Sequence, residues 1–487
     1  MGAILSALTN QGLHRLNSWV HYEPMSSFIE TSLSTEAPPS LARSAAVLVP
    51  GGALALLAVT FAGVAQAPIT TDLDMGAASG HWIATLYLLA AGIGIPLSGW
   101  AAIRFGVRAT WLVALGTFVL AAAAAAVAPG PAALLVARAF QGLAGGALEP
   151  IMLTALARAA GPERMGRVMG SVAAVMAIAP LAGPPLGGVV VDQWGWRAIF
   201  ALTAAAGAVV LAASFVALTR DARVPARLDL LGLVLLAATS ASILFGLSRL
   251  GARGGIDAVV ALALGAGIAA GAGFVWWARR LGGRAIVDLA TFRQSSFRVC
   301  VLIMALLGGA IYPLFFGLPQ FYQGVAGLDP TTSGLLMIPY GAGTLVAMSF
   351  AGRLNDHISA RILVPAGAMV SLGGFAGLVG SDAGTSTVVF ALTTAVIGLG
   401  IGFIGGPTVS TLYRDLPEAL VPAGSTTLFV VNQLGGATGV ALLAVVLGAG
   451  TAWTADIGTA PLWIPLGATA AIGLLALALP RNATQRS

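Results

Sequence analysis

Fourteen long apolar runs follow one another along the 487-residue chain, and they limit its possible folds more than any other feature. A helix needs about 20 mostly apolar residues to cross a bilayer, and runs such as AAAAAAVA at 121–128 have no polar face to present to water. The pattern therefore predicts an all-α membrane protein with 14 transmembrane helices. The predicted spans are residues 44–68, 82–103, 109–128, 132–157, 167–190, 197–218, 229–249, 257–278, 297–323, 331–352, 361–381, 386–412, 424–450 and 460–479.

Composition supports a bilayer as the solvent and excludes several kinds of chemistry. Charged residues make up only 9% of the chain, whereas soluble proteins contain roughly 25%. Cys300 is the single cysteine, which excludes an internal disulfide and a multi-cysteine metal site. The sequence has no phosphate-binding loop, no metal-ligand spacing among its four histidines and no nucleophile–base–acid set. We therefore expect no enzyme activity, no cofactor or metal, and neither ATP nor nucleic acid as a partner.

Arginine placement predicts the orientation of the chain in the membrane. All 24 basic residues are arginines. If the N-terminus is cytoplasmic, 20 of them fall on the cytoplasmic side, Arg138 falls inside a span, and only Arg197, Arg249 and Arg253 fall outside. Short loops that carry excess arginine stay on the cytoplasmic side of a membrane. We therefore predict a multi-pass protein of the cell membrane with both termini in the cytoplasm.

Two similar segments indicate an internal repeat. GWAAIRFGVR at 99–108 and GRLNDHISAR at 352–361 are 253 residues apart, and each follows the second helix of a possible six-helix unit. Internal repeats are common in secondary transporters, whose substrate sites lie between the repeats. We therefore predict two six-helix bundles joined by two extra helices. The predicted regions are a cytoplasmic tail at 1–43, a first bundle at 44–218, a linker with two helices at 219–296, a second bundle at 297–479 and a cytoplasmic tail at 480–487.

Three motifs carry a resemblance to a known family. Both repeated segments match the loop motif G-x-L-x-D-R-x-G-R-[RK] in part, although Ile103 stands at the aspartate position of the first. LLVARAFQG at 134–142 matches R-x-x-Q-G, and GPPLGG at 183–188 matches the antiporter motif G-P-x-x-G-G. Together they resemble the major facilitator superfamily, and within it the drug:proton antiporters with 14 helices. The matching positions are Gly99, Arg104, Gly106, Arg108, Gly352, Asp356 and Arg361 in the loops, and Gly183, Pro184, Gly187 and Gly188 in the antiporter motif.

The resemblance implies roles for these motifs. In the family, the loop motif helps to hold the two halves in the outward-open state, and GPxxGG is associated with the direction of transport. The alternative for GPPLGG is close helix packing without directional meaning. Because the first loop lacks the acid, we expect the Asp356 loop to hold the halves more strongly than the first. Members of this branch commonly carry an aspartate in the first span, whereas AVTFAGVAQAPI at 58–69 contains no acid.

Glu149, in LAGGALEPIML at 143–153, is the one acid well inside a predicted span. A membrane carboxylate is costly and by default indicates a functional site. Removal from water favours its neutral form, so that it can take up a proton on one side and release it on the other. Arg138 lies 11 residues earlier, on the same side of the helix and about 16 Å away along its axis. The resemblance implies a part for Arg138 in proton coupling. The alternatives are structural roles for both residues, with Glu149 paired to a polar neighbour or facing water and Arg138 bonded to backbone carbonyls.

Polar and aromatic residues within the spans predict a substrate cavity. Mostly apolar walls with a few hydrogen-bonding groups suit a small molecule, and the lack of a charge cluster argues against a highly charged cargo such as a sugar phosphate. For each residue taken singly, packing within the bundle is the alternative. The candidates are Tyr87, Gln141, Tyr312, Phe316, Gln320, Tyr322, Tyr340, Asn432 and Gln433.

These observations together predict a monomeric exporter of small, largely apolar molecules such as drugs or antibiotics, which exchanges its substrate for protons by alternating access. One alternative is an exporter of narrow specificity for a metabolite or for a self-made antibiotic. An alternative of another class is a membrane sensor or scaffold that has the same fold and does not transport.

Overall fold

The computed structural model describes residues 41–75, 80–219, 228–253, 255–382, 384–417, 420–447 and 458–479. This part of the chain is almost entirely helical, and it contains no β-strand. The predicted tail at 480–487 and all but the last three residues of the predicted tail at 1–43 lie outside the described residues. The prediction of an all-α protein is therefore confirmed for the described part.

The described residues form 14 α-helices, but these do not correspond one to one with the 14 predicted spans. One helix covers two predicted spans, and one predicted span is divided between two helices. Short 3-10 turns lie at Gly282–Arg284, Leu289–Arg293 and Ala460–Leu462. The helices are α1 Leu41–Asp72, α2 Trp82–Phe105, α3 Val107–Ala126, α4 Pro131–Trp194, α5 Trp196–Ala217, α6 Leu230–Arg253, α7 Ala258–Leu281, α8 Ser295–Gly324, α9 Pro330–Leu335, α10 Met337–His357, α11 Ala360–Val379, α12 Thr387–Asp415, α13 Val421–Leu447 and α14 Trp463–Ala476.

Twelve helical segments of the described chain are long and apolar enough to cross a membrane. One of them, Pro330–Ala351, combines α9 with most of α10. The predicted spans 167–190 and 460–479 are not among the twelve. The last of these corresponds to the shorter apolar segment Ala460–Ala476. The predicted span 167–190 is helical, but most side chains between 167 and 177 lie outside the described ones.

Helix α4 is continuous over 64 residues, yet the chain reverses its direction within it. Near its start, Arg138 donates a hydrogen bond to the carbonyl oxygen of Ala58. Near its end, a Cβ added to Gly183 would meet the side chain of Thr60. A straight helix would place residues 138 and 183 about 68 Å apart, whereas both reach the same turn of α1. The chain therefore reverses direction between them, which agrees with two spans at 132–157 and 167–190.

Sequence chemistry at the helix ends explains several boundaries. Single glycines with positive φ separate α2 from α3 (Gly106, φ 88°) and α4 from α5 (Gly195, φ 77°), a backbone conformation that L side chains rarely adopt. Asp257 begins α7 by accepting a hydrogen bond from the Val260 amide at 2.8 Å. It also forms an ion pair with Arg249 of α6 at 2.8 Å, which lowers the pKa of this exposed carboxyl. These contacts join α6 and α7 into a hairpin.

Two apolar cores organise the helices. Helices α1–α5 build most of the first core, with Trp111 and Phe118 fully buried in it, and α8–α14 build the second around Phe375 and Phe390. Phe316 of α8, together with Ala437, Val440 and Ala441 of α13, belongs to the first core. We refer to α1–α5 as the first helix set and to α8–α14 as the second. Helices α8 and α13 of the second set therefore also pack against the first set.

Candidate functional site

Close packing of α2 against α4 positions the charged candidates. A Cβ added to Gly142 would meet the carbonyl oxygen of Tyr87, and one added to Gly146 would meet that of Ala91. Small residues allow helix backbones in a membrane to approach this closely. The Tyr87 hydroxyl in turn donates a 2.9 Å hydrogen bond to the carbonyl oxygen of Ala55 on α1. The three helices are thereby held together around the Tyr87 ring.

Arg138 is fully buried at this junction. Its Nε donates to the carbonyl oxygen of Ile83 at 3.0 Å, and its Nη1 donates to the carbonyl oxygen of Ala58 at 3.3 Å and to Oε1 of Gln141 at 2.6 Å. The guanidinium carbon lies 4.4 Å from the centre of the Tyr87 ring. Backbone dipoles and a ring face thus stabilise the cation. Arg138 Nη2 and Gln141 Nε2 are buried and have no hydrogen-bond partner in the described chain.

Glu149 lies on the same helix and is only half-buried. The described residues form no hydrogen bond or ion pair with its carboxylate. It interacts electrostatically with Tyr87 of the first helix set and with Tyr312 of the second. The glutamate therefore lies where the two sets face each other. The next residue, Pro150, lacks an N–H group, and its carbonyl oxygen accepts the Thr154 hydroxyl at 2.8 Å.

The second helix set contributes uncharged polar groups opposite Glu149. The Tyr312 hydroxyl is within hydrogen-bonding reach of the Gln433 side chain, while Gln433 Oε1 is buried without a partner in the described chain. Asn432 Nδ2 donates to the carbonyl oxygen of Met304 at 3.0 Å, and Gln320 Nε2 donates to that of Phe316 at 2.7 Å. Gln433 therefore keeps one buried polar atom without a partner in the described chain, whereas the Asn432 amide joins α13 to α8 and the Gln320 amide bonds within α8.

Three aromatic candidates lie in apolar packing. Tyr322 is fully buried against Phe390, with ring centres 5.1 Å apart, and Tyr340 packs edge-on against Phe315 at 5.6 Å. Phe316 belongs to the first apolar core. The structure therefore groups Tyr87, Gln141, Tyr312 and Gln433 with Glu149 and Arg138, and it places Tyr322, Tyr340 and Phe316 in the cores.

The GPPLGG segment forms a tight crossing with two other helices. A Cβ on Gly183 would meet Thr60 of α1, and one on Gly187 would lie 3.2 Å from the ring of Phe61. On the other side, a Cβ on Gly188 would meet the carbonyl oxygen of Pro330 in α9. A Cβ on Gly334 would likewise meet the carbonyl oxygen of Pro184. The motif thus packs both helix sets against each other with backbone-to-backbone contact.

Further contacts between the sets lie at the same end of the molecule, which we call the Asp192 end. Asp192 accepts hydrogen bonds from the Thr331 amide at 2.9 Å and from the Thr331 hydroxyl. Gln323 Nε2 donates to the carbonyl oxygen of Val64 at 3.4 Å. A Cβ on Gly63 would meet the carbonyl oxygen of Phe315. These contacts bring the two sets together at the Asp192 end.

The two repeated loops lie at the opposite end of the helices. In the first, Arg108 Nη2 donates to the carbonyl oxygen of Phe215 at 2.8 Å, Arg104 is exposed near Phe105, and no atom lies within 4 Å of a Cβ added to Gly99. In the second, Ser359 caps α11 by accepting the Arg361 amide at 3.3 Å. For Gly352 and Asp356, only the helical backbone lies within the described part of the structure. Ser359 is the equivalent of Gly106 in the first loop. The second loop therefore starts its next helix with a capping serine instead of a glycine.

Several polar residues at the Asp192 end were missed by the sequence analysis. Gln66, His81 and Thr85 are buried, and Asp192 with Thr331 joins the two sets. The only signal in the sequence was their polar character near the ends of spans, which is also typical of residues that face the membrane surface.

A bundle of membrane-crossing helices, with a buried cation, a half-buried acid and free amide groups between two packed sets, has the architecture of a membrane transporter. A family model described as "Major Facilitator Superfamily" matches residues 48–440. The chain belongs to the major facilitator superfamily, and it is related to multidrug and antibiotic exporters of that family.

Two curated relatives illustrate this relationship. The chain is 33% identical over 417 residues to the "Multidrug resistance protein B homolog" of Mycobacterium tuberculosis (strain ATCC 25618 / H37Rv), covering 84% of this chain and 76% of that protein. It is 27% identical over 390 residues to the "Tetracenomycin C resistance and export protein" of Streptomyces glaucescens, covering 80% and 72%. Both alignments extend over most of the described helices.

Solved structures support the fold alone. A D-xylose–proton symporter superposes with a TM-score of 0.65 at 14% identity, covering 91% of this chain and 98% of that one. An auto-inhibited peptide transporter of the POT family gives a TM-score of 0.65 at 15% identity, covering 90% and 96%. At this identity the similarity confirms the architecture of the family.

Proposed function

We propose that the protein is a proton-coupled exporter of small, largely apolar molecules that works by alternating access. The observation that carries the proposal is the position of Glu149, a half-buried carboxylate without a hydrogen-bond partner in the described chain, between Tyr87 and Tyr312. A carboxylate at the junction of the two sets can exchange protons with one side of the membrane at a time as the sets rock. The names of the relatives, which describe multidrug resistance and antibiotic export, support the same cargo class.

Each residue of the site has a proposed role. Glu149 carries the proton, and Arg138 holds the Tyr87 ring beside it while remaining bonded to the carbonyl groups of α1 and α2. Tyr312 and Gln433 supply hydrogen bonds to the cargo, with Tyr87 and Gln141 behind them. Tyr322, Tyr340 and Phe316 stabilise the walls. The mostly apolar surroundings select cargo by size and apolar area rather than by charge.

The arrangement of the helices supports two bundles, 44–218 and 297–479, with the α6–α7 hairpin as the linker within 219–296. We propose that the Asp192 end faces the outside of the cell, because this orientation follows from the arginine distribution. The contacts of Asp192 with Thr331 and of Gly188 with Pro330 then close the outer end. In the present conformation the outer end is therefore closed.

The proton gradient provides a defined driving force for this cycle. One charge moving across 100 mV releases about 2.3 kcal/mol, and one pH unit adds about 1.4 kcal/mol. At a factor of ten per 1.4 kcal/mol, one proton sustains roughly a 500-fold gradient of a neutral cargo. A single acid well inside the described spans suits one proton per cycle, and no ATP is required.

The test uses the purified full chain in proteoliposomes, with tetracenomycin C and a neutral lipophilic dye as probes. Wild type is expected to transport the probes in response to an imposed pH gradient. The glutamine of Glu149→Gln cannot release a proton. We therefore expect its rate of gradient-driven transport to fall by a factor of 10 or more, which corresponds to a free-energy difference of about 1.4 kcal/mol or more. Asp382→Asn is the matched control, because Asp382 is an exposed acid that bonds only within its own loop in the described chain.

Three results would contradict the proposal. Coupled transport by Glu149→Gln that equals wild type between pH 6 and pH 8 removes Glu149 as the carrier. Transport by wild type that ignores the pH gradient removes proton coupling. Absence of transport for every probe in a well-folded sample favours the sensor or scaffold alternative.

An exporter of narrow specificity is the second candidate function. The relative that exports tetracenomycin C supports it, and so does the absence of an acid in 58–69. A competition assay separates the two candidates. Inhibition of tetracenomycin C transport by several unrelated apolar compounds supports the multidrug function, whereas inhibition by close analogues alone supports the narrow one.

We also propose that the Asp356 loop holds the cytoplasmic ends of the two bundles more strongly than the first loop, which has Ile103 at the equivalent position. Asp356→Asn is expected to shift the balance toward the inward-facing state, because the charged group of the latch is lost. Double electron–electron resonance between spin labels on the two bundles measures this balance. Ile103→Asn is the control, and an unchanged distance distribution in Asp356→Asn would reject the latch.

A further inference from the structure

His81 is a buried titratable side chain that the proposed transport site does not use. It directly precedes α2 at the Asp192 end, and its relative exposure is 4%. Both ring nitrogens are buried without a hydrogen-bond partner in the described chain. A neutral imidazole has one donor and one acceptor to satisfy, and burial of its charged form without a partner costs more still. The closed conformation therefore holds this side chain in its neutral form.

The face of α2 that carries His81 meets the second helix set. At about 100° per residue, positions 81 and 92 lie about 20° apart around the helix and about 16 Å apart along its axis. A Cβ added to Gly92 would lie 3.2 Å from a side-chain atom of Leu434 and 3.8 Å from one of Gln433, both on α13. His81 therefore lies on the α13 side of α2, away from the Tyr87 side that packs on α4.

Helix α6 shows which part of α13 lies beside the start of α2. The Trp82 Nε1–H donates to the hydroxyl oxygen of Ser248 on α6 at 3.0 Å. Three residues further along α6, a Cβ added to Gly251 would lie 2.7 Å from the Cα of Val445 on α13. Three residues span only about 4.5 Å along a helix. The start of α2 and the end of α13 therefore meet at one junction between the two helix sets, with α6 beside them.

The helices at this junction bring no charge to His81. Residues 424–447 of α13 contain no acid, base or tyrosine, and the one other titratable residue within 81–103 of α2 is Tyr87, on the α4 side. The charged groups at the neighbouring ends of α1 and α6 are exposed or ion-paired; they are Asp72, Asp74, Arg249 and Arg253. Burial is accordingly the cause that lowers the pKa of His81, which precedes the span Trp82–Phe105, to about 4.

Opening of the Asp192 end changes the surroundings of this ring. In the present conformation the sets are joined there by Asp192 with Thr331 and by the backbone contact of Gly63 with Phe315. When the two sets separate at this end, α2 and α13 part, and the His81 ring meets water. A hydrated imidazole has a pKa of about 6.5. Proton binding at His81 and closure of the Asp192 end therefore oppose each other, and each weakens the other by the same factor.

We propose that His81 is a proton-binding site of the outer end, which takes up an external proton when α2 and α13 separate and must release it before they close. This inference rests on the alternating access of the proposed function, but it does not require Glu149 to be the proton carrier. The proton comes from external water and returns to it, and only an N–H bond of the imidazole forms and breaks. Acid outside thereby favours the conformation with an open outer end.

Proton linkage sets the size of the effect. An imidazole with a pKa of about 6.5 in the open state and about 4 in the closed state binds protons almost exclusively in the open state between pH 5 and pH 7. Lowering the pH from 7.5 to 5.5 then raises the ratio of open to closed molecules by about 10-fold. Without a titratable group at position 81, this contribution disappears.

The test measures the opening of the Asp192 end by double electron–electron resonance on the full chain in detergent. Spin labels are attached to Leu202→Cys on α5 and Val388→Cys on α12, in a Cys300→Ser background. Both positions are exposed, at 51% and 65%, and lie in the helix halves nearest the Asp192 end. The labelled chain is expected to show a long-distance population whose ratio to the short-distance population rises about 10-fold from pH 7.5 to pH 5.5.

Variants at position 81 remove or fix the charge. His81→Gln and His81→Leu carry no titratable group there, so we expect their population ratio to change by less than about 2-fold over the same pH range. His81→Arg carries a permanent charge that the closed junction cannot pair, and it is expected to favour the long distance at both pH values. Thermal unfolding identifies any variant that fails to fold.

Two further variants are controls. Thr85→Val changes a buried residue one turn along the same face, whose hydroxyl also has no partner in the described chain, but which does not titrate. It is expected to keep the pH response of the labelled chain. Glu149→Gln removes the proposed carrier, and it is likewise expected to keep the response.

Each other outcome overturns the proposal. A population ratio that does not change with pH in the labelled chain shows that no proton binds at the outer end. A response that persists in both His81→Gln and His81→Leu assigns the proton to another group, and a response lost in Glu149→Gln assigns it to the carrier. Loss of the response in Thr85→Val as well shows that packing of the junction, rather than protonation, controls the opening.

These outcomes are distinct from failure of the proposed function. Wild-type transport that ignores an imposed pH gradient in proteoliposomes removes proton coupling of the cargo. The distance measurement needs no cargo and no gradient, so a pH response that depends on His81 supports the outer proton site even then.

Discussion

Each helix set contains an equivalent crossing of two helices, but the tyrosine ring at the crossing has a different partner in each set. In the first, the carbonyl oxygen of Tyr87 on α2 faces Gly142 on α4; in the second, the carbonyl oxygen of Tyr340 on α10 faces Gly398 on α12. The two tyrosines are 253 residues apart, the same separation as that of the repeated loops. The Tyr87 ring lies 4.4 Å from the guanidinium of Arg138, whereas the Tyr340 ring packs on Phe315 at 5.6 Å.

The backbone packing at the two crossings is the same, whereas the partner of the tyrosine ring differs. Small residues at the crossing are needed in both sets, because they allow the backbones to touch. The partner of the tyrosine ring is free to differ: in the first set it is a buried cation, and in the second it is an apolar ring. The predicted spans of the second set contain no acid, and their arginines, Arg298 and Arg361, lie at span ends. Under the proposed proton coupling, ion handling therefore falls to the first set.

The largest expected effect is that of Arg138→Lys. A lysine keeps the charge but cannot donate simultaneously to Ile83, Ala58 and Gln141 as the planar guanidinium does. We expect gradient-driven transport to fall by about 10-fold or more, since several charge-assisted hydrogen bonds are lost. Transport rates in proteoliposomes provide the measurement. Arg280→Lys is the control, because Arg280 stacks on the exposed Trp276 at 3.9 Å, away from this site. Equal activity of both variants would show that only the charge of Arg138 matters.

A smaller effect on stability tests whether the two crossings are equivalent. Gly142→Ala and Gly398→Ala each introduce a Cβ that meets a tyrosine carbonyl oxygen. We expect each to lower the free energy of unfolding by about 1–3 kcal/mol through overpacking. Thermal unfolding of the detergent-solubilised protein measures this. Gly373→Ala is the helical control, because within the described chain no atom beyond its own stretch of helix lies within 4 Å of the added Cβ. If only one of the two variants loses stability, the two crossings are not structurally equivalent.

The smallest expected effect distinguishes the two tyrosines. Tyr87→Phe removes the 2.9 Å hydrogen bond to Ala55 beside Arg138, and a net loss of about 1 kcal/mol corresponds to roughly a fivefold drop in gradient-driven transport. Tyr340→Phe is expected to leave transport unchanged, because its ring lies in the apolar packing of the second set. Transport and thermal stability are measured for both variants. If Tyr340→Phe impairs coupling as much as Tyr87→Phe, ion handling is shared between the sets.

Much of the fold was predictable from the sequence because crossing a bilayer is a local property of the chain. A run of about 20 apolar residues must become a helix whose backbone groups bond to one another. Twelve segments of the described chain meet that condition. The same reasoning identified Arg138 and Glu149, because a charge inside such a run is rare and needs an explanation.

Residue type alone could not show which aromatic candidates lie near Glu149 and which are packed in an apolar core. Tyr312, Tyr322 and Tyr340 all occupy apolar runs of the second half, yet only Tyr312 interacts with Glu149, while the other two lie in packed cores. Which face of a helix meets the opposite set depends on crossings such as that of Gly63 with Phe315. Those contacts join residues more than 200 positions apart, so no local pattern records them.

The local sequence was enough to predict most of the membrane-spanning helices, the repeated segments and the two charges within the first set, because the spans and the charges follow from the cost of placing polar groups in lipid. Only the packed helices show that Asp192 bonds to Thr331, that GPPLGG packs on both α1 and α9, and that Gln66, His81 and Thr85 are buried with polar atoms that have no hydrogen-bond partner in the described chain. A polar side chain acquires its partner only when distant helices are packed around it, so its own stretch of sequence does not record that partner.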